Sequence, residues 1–180
     1  MLSIGGVWWR HLPHDGNPLR HADPPSDGRW QRGDTVGALY FAKEEETAWA
    51  EWYRGLAERG MPPEMGLPRD LWRYDIQFDE VIDLSTDAAL EEHGLQRPRP
   101  TRRKWPAFQQ VGEALWKTGA KAILYESAAH PGNLALCVFA TDEGIAGLRP
   151  IPPPQIFDNP PPVPPPPSQT SSFGDDRYGA

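Results

Sequence analysis

Cysteine is nearly absent from this chain of 180 residues, since Cys137, within the apolar run LALCVFA, is the only one. A single cysteine excludes an internal disulfide, and its apolar neighbours favour a buried thiol. Long apolar runs are also missing: no stretch of about eighteen apolar residues occurs, and no basic segment precedes an apolar stretch near the N-terminus. We therefore expect a soluble cytoplasmic protein without a membrane span or a secretion signal.

Positive charge is in deficit as well. The 18 Lys and Arg residues face 25 Asp and Glu residues, which gives a formal net charge of −7. Proteins that hold nucleic acids or anionic membranes need a surplus of cations facing the phosphates, so the charge argues against both kinds of partner. A small anionic ligand in a locally basic pocket remains compatible with this balance.

The motifs of several common active sites are missing. The chain has no GxGxxG, GxxxxGK[ST], HExxH or paired CxxC, and no GxSxG surrounds Ser127. His11, His14 and His21 lie in a turn-rich segment without Cys or acidic residues at ligand spacing, which favours solvated histidines over a metal site. We expect neither a metal nor a cofactor.

Proline, in contrast, is abundant, and half of the 22 prolines fall between Pro150 and Pro167. Proline lacks a backbone donor, so this region cannot form a helix or a central strand. We expect one compact domain over residues 1–148 and a proline-rich tail, polyproline-II or disordered, over residues 149–180. The run PPVPPPP fits two interpretations, a simple spacer or a ligand for a proline-recognition module.

The remaining sequence mixes strand and helix patterns, which predicts a mixed α/β fold. Because the strands are short and period-two or hairpin-like, we expect a small, mostly antiparallel sheet with surrounding helices. Segments 11–28 and 96–104 are rich in turn residues or in proline and arginine, and we expect surface loops there. Strands are predicted at 4–9, 36–42 and 71–84 and in a hairpin of KAILYES and NLALCVFA, and helices at 44–59, DAALEEH and 106–118.

Two of the predicted helices carry apolar stripes. In the helix at 106–118 the apolar side is formed by Phe108, Val111, Leu115 and Trp116, and in the helix at 44–59 the stripe is Trp49, Trp52, Tyr53 and Leu56. Glu51 points nearly opposite the second stripe, beside Ala48 and Gly55. Periodicity alone favours a solvated glutamate, although its small neighbours leave room for a ligand.

Residues 27–52 bring three kinds of chemistry together. Arg29 and Arg32 lie in a glycine-flanked loop, Tyr40 lies in a β-prone run, and Glu51 lies on the tryptophan-rich helix. A cationic loop, an aromatic ring and a lone carboxylate suggest an anionic ligand that carries a ring. Each residue also has an ordinary alternative: a surface arginine, a core tyrosine, a solvated glutamate.

Several short motifs follow one another along the chain: Trp9-Arg10, Gly28-Arg29-Trp30 with Gly33, Leu39-Tyr40-Phe41-Ala42, Ala50-Glu51, VIDL at 81–84, FQQVGEALWKTG, and Tyr125-Glu126-Ser127-Ala128 followed by GNLALCVF. Their order resembles that of the RES-domain toxins of bacterial toxin–antitoxin modules, a family named for an arginine, a glutamate and a serine. The chain departs from the family pattern at Gln31, where Asn is usual, and at Trp9, where Tyr is usual.

The resemblance implies a single compact RES domain similar to ADP-ribosyltransferases, with NAD bound in a cleft. Known members degrade NAD by hydrolysis or phosphorolysis, or transfer ADP-ribose to a protein, and an Xre-like antitoxin blocks the cleft. We therefore expect an NAD-consuming toxin with NAD as substrate and water or inorganic phosphate as acceptor. The alternatives are a mono-ADP-ribosyltransferase that modifies a protein and a non-catalytic interaction protein that acts through its proline-rich tail.

The resemblance also assigns roles to individual residues. Glu51 matches the carboxylate that stabilises positive charge on the ribose, and Arg29 and Arg10 are candidates for binding the NAD diphosphate, with Arg29 counted as catalytic too. Tyr40 is expected to stack on a ring or to bond the ribose. Ser127 is expected to position a phosphate or a ribose hydroxyl, although a turn residue at a strand end is an equally good interpretation.

Overall fold

The structure, a computed structural model, describes residues 2–21, 23–140 and 145–165. Its strands and helices confirm the predicted mixed α/β class. In chain order they are β1 (Leu2–Pro13), β2 (Gly37–Ala42), α1 (Glu45–Glu58), β3 (Arg69–Leu84), α2 (Asp87–Glu92), α3 (Trp105–Lys117), β4 (Ala122–Glu126), β5 (Leu134–Ala140) and β6 (Leu148–Phe157), with short 3-10 helices at Pro63–Gly66 and Arg102–Lys104.

The six strands form one sheet in the order β1-β2-β5-β4-β3-β6, and β1 also pairs with β3. The first five strands in this order therefore close into a ring, with β6 outside it along β3. All pairs are antiparallel except β3 with β4, so the mostly antiparallel sheet is confirmed. The ring is weakest between β1 and β2, which are paired only where Trp9 lies opposite Ala42.

Strand β1 is twice as long as predicted. It runs antiparallel to β3 from the end near Leu2 to the pair of Pro13 with Arg69. The turn-forming residues HLP suggested an early end to the strand, but the long partner β3 continues to supply backbone hydrogen-bond groups that far. As a consequence His11 is part of a strand, not of a loop.

The prediction that the proline-rich tail begins at residue 149 is wrong, because β6 pairs antiparallel with β3 from Leu148 to Phe157. The strand lies at the sheet edge, where a proline is tolerated if its missing N–H would face away from the partner strand. Beyond it Pro161 is buried, and its carbonyl accepts a hydrogen bond from Tyr53 on α1. The part of the predicted disordered tail at 166–180 lies outside the described residues.

Helix α1 is fixed to the sheet by the predicted apolar stripe. Trp49, Trp52 and Leu56 are buried, with Leu71 of β3 in the same cluster, and Tyr53 packs at its margin. Burying a side chain of this size stabilises the fold by about 1.5–3 kcal/mol. The anchored stripe sets the rotation of α1, so its opposite face turns away from this cluster.

Helix α3 buries a different face from the one predicted. Val111, Leu115 and Trp116 are only partly buried, and of the predicted stripe only Phe108 is fully so. The fully buried set is Phe108, Gln109, Gly112 and Glu113, because α3 packs on a polar loop as well as on the sheet. Within the ranges that the structure describes, no helix is long and apolar enough to cross a membrane.

Candidate active site

A cavity of about 640 Å³ is lined by β1, β2, α1 and the loop between the two strands. It lies where β1 and β2 diverge after their single residue pair. Four of the five predicted site residues line it: Arg10, Arg29, Tyr40 and Glu51. The fifth, Ser127, is buried behind Glu51 and is not part of the lining.

Glu51 is held in the cavity wall by hydrogen bonds to both carboxylate oxygens. Oε1 accepts from Ser127 Oγ at 2.8 Å, and Oε2 accepts from Arg54 Nε at 2.9 Å, with Arg54 Nη2 at 2.8 Å. The side chain retains 24% exposure. The tryptophan stripe on the other side of α1 determines this orientation, and small Ala48 beside Glu51 also lines the cavity.

Ser127 directly follows the end of β4, as one of its two interpretations predicted, and lies outside the cavity lining. Its hydroxyl donates its one proton to Glu51 and accepts from the backbone amides of Ala129 at 3.2 Å and His130 at 3.1 Å. The imidazole of His130 in turn bonds to Thr47 of α1 at 2.9 Å. With its hydroxyl fully used, Ser127 positions Glu51 and has no proton left for a ligand.

Arg29 carries an unsatisfied donor at the cavity. Its side chain is 5% exposed, its Nη2 donates to the Arg99 carbonyl at 3.0 Å, and its guanidinium lies over the Phe108 ring. Its Nη1 is buried without a hydrogen-bond partner among the described residues. Burial lowers the pKa of Arg29. A buried donor left unpaired costs about 1–3 kcal/mol.

Two further arginines of the cavity lack a carboxylate partner in the described part of the chain. Arg10 donates to the carbonyls of Pro18 and Arg20, and Arg69 donates from Nε and Nη2 to His11 Nδ1 at 3.1 and 3.0 Å. Burial lowers the pKa of both, to about 10 for Arg69, which is also close to other guanidinium groups. This part of the cavity is therefore strongly cationic.

His11 is neutral in this setting. Burial and the adjacent arginines hold its pKa well below 6.5, so its Nδ1 accepts a hydrogen bond from Arg69. The ring also stacks on Trp49, with centroids 5.9 Å apart. An uncharged imidazole leaves the positive charge of Arg69 uncompensated.

Tyr40 presents its ring to the cavity, but its hydroxyl is occupied. The hydroxyl donates to Gln31 Oε1 at 2.6 Å and accepts from the Trp30 amide at 3.1 Å. Burial raises the pKa of Tyr40 well above 10, so the phenol remains protonated. Two roles were predicted for Tyr40, stacking on a ring and bonding the ribose, and only stacking is compatible with the occupied hydroxyl. Gln31, the departure from the family pattern, is itself buried and donates to the Ser26 carbonyl.

The loop that carries Arg29 is bound to the polar face of α3. Gln109 Nε2 donates to the Gly28 carbonyl at 2.9 Å. The Glu113 carboxylate accepts from the backbone amide of Arg32 and from Nε and Nη2 of its guanidinium. This pairing lowers the pKa of Glu113. Arg32 thus belongs to the support of the loop, not to the cavity that Arg29 lines.

A family model of the RES domain matches residues 7–160, which include all the residues that line the cavity. The chain belongs to the RES-domain family. The resemblance drawn from the order of the motifs is thereby confirmed.

Two known proteins are similar to this RES domain, one in sequence and one in fold. It is 28% identical over 143 residues to a probable NAD(+) phosphorylase of Mycobacterium tuberculosis (strain ATCC 25618 / H37Rv), an alignment that covers 76% of this chain and 66% of that protein, just under two thirds of its length. Its fold matches a chain of the M. tuberculosis MbcT-MbcA toxin-antitoxin complex, with a TM-score of 0.75, 23% identity and coverage of 88% and 86% of the two chains.

Of the three histidines predicted to be solvated, His14 is exposed as expected, and its Nδ1 bonds to Asp70 Oδ1 at 2.7 Å. His11 and His21 are only partly exposed and line the cavity. Together with Asp15, His14 and Asp70 have potential metal-ligand atoms within 4.8 Å of one another, and none of the three is in the cavity lining. Both oxygens of Asp70 already accept hydrogen bonds, from His14 and from the Asp15 amide.

Arg54, Arg69 and His11 are among the residues of the RES-domain cavity that sequence reasoning missed. A signal existed for Arg54, because a cation three residues after a glutamate lies on the same face of a helix. His11 and Arg69 meet only through the register of β1 with β3. Nothing in their local sequence indicates that meeting.

The loop support can be tested at Gly112. A Cβ built there would lie 2.0 Å from the Trp30 carbonyl oxygen, so Gly112→Ala is expected to destabilise the RES domain by about 2 kcal/mol in urea unfolding. Gly55→Ala is the matched control, because its Cβ meets only Arg59 Nη2 at 3.9 Å, and alanine in a helix stabilises by about 0.5–1 kcal/mol. Equal unfolding midpoints for the two variants would contradict the packing described.

Proposed function

We propose that this RES domain consumes NAD by breaking the nicotinamide–ribose bond and passing the ADP-ribosyl group to water or inorganic phosphate, as the toxin of a toxin–antitoxin pair. The observation that carries the proposal is one cavity lined by a fixed carboxylate, Glu51, and by a buried arginine, Arg29, whose Nη1 has no partner among the described residues. This pair suits a substrate that is anionic in one part and becomes cationic in another.

The role proposed for Glu51 follows from the charge that develops when the nicotinamide–ribose bond breaks. When the C–N bond breaks, its electron pair leaves with the pyridinium nitrogen, so nicotinamide departs as a neutral ring without a general acid. Positive charge is then left on the ribose, as in the oxocarbenium-like transition state of glycoside cleavage. A preorganised carboxylate stabilises that charge more than it stabilises bound NAD, which lowers the barrier.

The second half of the reaction forms a C–O bond at the same ribose carbon. With water as acceptor, the attacking oxygen loses one proton to solvent and ADP-ribose is the product. With inorganic phosphate, an oxygen of the anion attacks and the product is ADP-ribose carrying a phosphate on that carbon. Either reaction balances without an electron donor or acceptor, so the proposal needs no cofactor and no metal.

The arginines suit the diphosphate of NAD. A guanidinium binds phosphate oxygens through paired, charge-assisted hydrogen bonds, and Arg29 has a free nitrogen for one of them. Arg10 adds a second cation without a carboxylate partner among the described residues. The Tyr40 ring provides an apolar surface for a ring of the substrate, and a cavity of this volume lies in the range of roughly 300–1,000 Å³ typical for small-molecule sites.

The relatives support the same function. One is named as a probable NAD(+) phosphorylase, and the structural neighbour is part of a toxin-antitoxin complex. We therefore propose that an antitoxin, Xre-like as the family resemblance implies, covers the cavity when the toxin is silent. Action in the cytoplasm, where NAD is available as substrate, belongs to the same proposal.

Product analysis tests the proposed reaction. Purified protein free of any partner is incubated with NAD, with and without inorganic phosphate, and free products and labelled protein are separated. We expect NAD loss with ADP-ribose or its phosphate as the soluble product. Intact NAD under both conditions would contradict the proposal, and label on protein would favour mono-ADP-ribosylation.

A truncation serves as the control for the tail. Ending the chain at residue 165 removes the residues beyond the described part and keeps β6 in place. NAD turnover should survive this truncation, whereas an interaction protein that depends on residues 166–180 would lose its partner. A cut at residue 150 is unsuitable, because it removes the strand that pairs with β3.

A further inference from the structure

An ion-pair chain runs from the cavity to the surface along one face of α1. Arg54 holds Glu51 through Nε and Nη2, and its remaining terminal nitrogen, Nη1, donates to Glu58 Oε1 at 2.7 Å. The other oxygen of Glu58 accepts from Arg102 Nε at 3.1 Å. Glu51, the proposed catalytic carboxylate, is thus linked through Arg54 and Glu58 to Arg102 in the basic segment at 96–104.

The geometry makes Glu58 the residue that determines the direction of Arg54. The side chains of Arg54 and Glu58 are only 19% and 17% exposed, so solvent screens their pairing weakly compared with that of Arg102, which is 58% exposed. Spacings of three and four residues place Glu51 and Glu58 on either side of Arg54 on the helix. A guanidinium held at both ends has one orientation available.

Arg54 also lines the cavity, and this creates a competition. An anionic substrate attracts every mobile cation near it, and an unrestrained Arg54 would turn from Glu51 towards the substrate. Substrate binding would then gain a contact, while Glu51 would lose the group that fixes it. The contact between Glu58 and Arg54 opposes that rotation.

We propose that Glu58 is a positioning residue for the reaction: it keeps Arg54 on Glu51 while an anionic substrate occupies the cavity. Glu58 does not line the cavity, so it acts only through Arg54. Arg102, over the ring of Trp105 at 5.0 Å, supports Glu58 from the basic segment. The kinetic part of this inference rests on the proposed NAD cleavage, whereas the restraint on Arg54 does not.

Glu58→Gln tests the inference through a split between the two kinetic constants. The variant keeps the length of the side chain and loses its charge, so kcat for NAD loss should fall roughly tenfold, as expected for a misoriented catalytic group, while KM stays unchanged or falls. The matched control is Glu46→Gln, the same change at an exposed position of the same helix, which should leave both constants unchanged. Arg102→Gln should show a smaller fall in kcat, because Arg102 is the more exposed partner.

A second measurement needs no activity. The side-chain Nε–H signal of Arg54, followed by NMR in the full chain, should show restricted rotation in the wild type and in Glu46→Gln, and faster rotation in Glu58→Gln. Equal restraint in all three proteins would overturn the proposal, as would a wild-type kcat for Glu58→Gln or a rise in KM alone. If the wild type leaves NAD intact while Glu58→Gln frees Arg54, the proposed function fails and the positioning contact stands.

Discussion

Glu51→Gln is expected to abolish NAD loss while leaving the fold intact. Glutamine has the same length and shape, and its carbonyl oxygen can still accept the hydrogen bond that Ser127 donates. It lacks the negative charge that would stabilise the ribose cation. Removing a preorganised group of this kind lowers kcat by roughly a hundredfold to a thousandfold, and we expect the upper end, because Glu51 is the one carboxylate of α1 that lines the cavity.

The measurement is single-turnover NAD loss, with the thermal unfolding midpoint of each protein as the check on folding. Arg54 retains Glu58 as a counter-ion in the variant, so no large loss of stability should follow. A Glu51→Gln protein that turns over NAD at the wild-type rate would remove Glu51 from the mechanism. An unfolded variant would show that its charge serves structure first.

The direction in which Glu51 points could be predicted from the sequence because it depends on local periodicity. The tryptophan stripe identifies the buried side of α1, and Glu51 lies about half a turn away from it. The side chains that contact Glu51 could not be predicted in this way. Ser127 lies 76 positions after Glu51 in the chain, and their contact depends on where β4 ends in the closed sheet.

Elements whose role depends on distant partners were predicted least well. The proline-rich sequence of β6 predicts a tail, and only its pairing with β3 explains why it is a strand. The sequence of α3 predicts an ordinary amphipathic helix, and only its packing on the Arg29 loop explains which face is buried. In both cases tertiary hydrogen bonding overrides local composition. The polar residues Gln109 and Glu113 are buried because backbone groups of that loop need partners.

The protein combines a negative net charge with a cationic cavity. With a formal charge of −7 over the whole chain, long-range attraction does not explain anion binding. The cations of the cavity act at short range: Arg29, Arg10 and Arg69 are each desolvated, as their lowered pKa values reflect. A small anion that reaches the cavity meets guanidinium groups that little water screens.

Arg29→Gln is expected to weaken NAD binding more than it slows the chemical step. The variant loses the buried cation whose Nη1 is unpaired, so KM should rise roughly a hundredfold, equivalent to about 2.7 kcal/mol. Arg29→Lys keeps the charge without the fork of donors and should recover only part of that loss. Arg103→Gln, an exposed position in the basic segment, is the control and should leave KM unchanged.

Inhibition by inorganic diphosphate identifies which part of NAD Arg29 contacts. If Arg29 holds the diphosphate, the inhibition constant for this ion should rise in Arg29→Gln in parallel with KM. A raised KM with unchanged diphosphate inhibition would move Arg29 to another part of the substrate. Unchanged values of both would mean that the unpaired nitrogen of Arg29 has no role in binding, and that its contacts with Arg99 and Phe108 are its whole function.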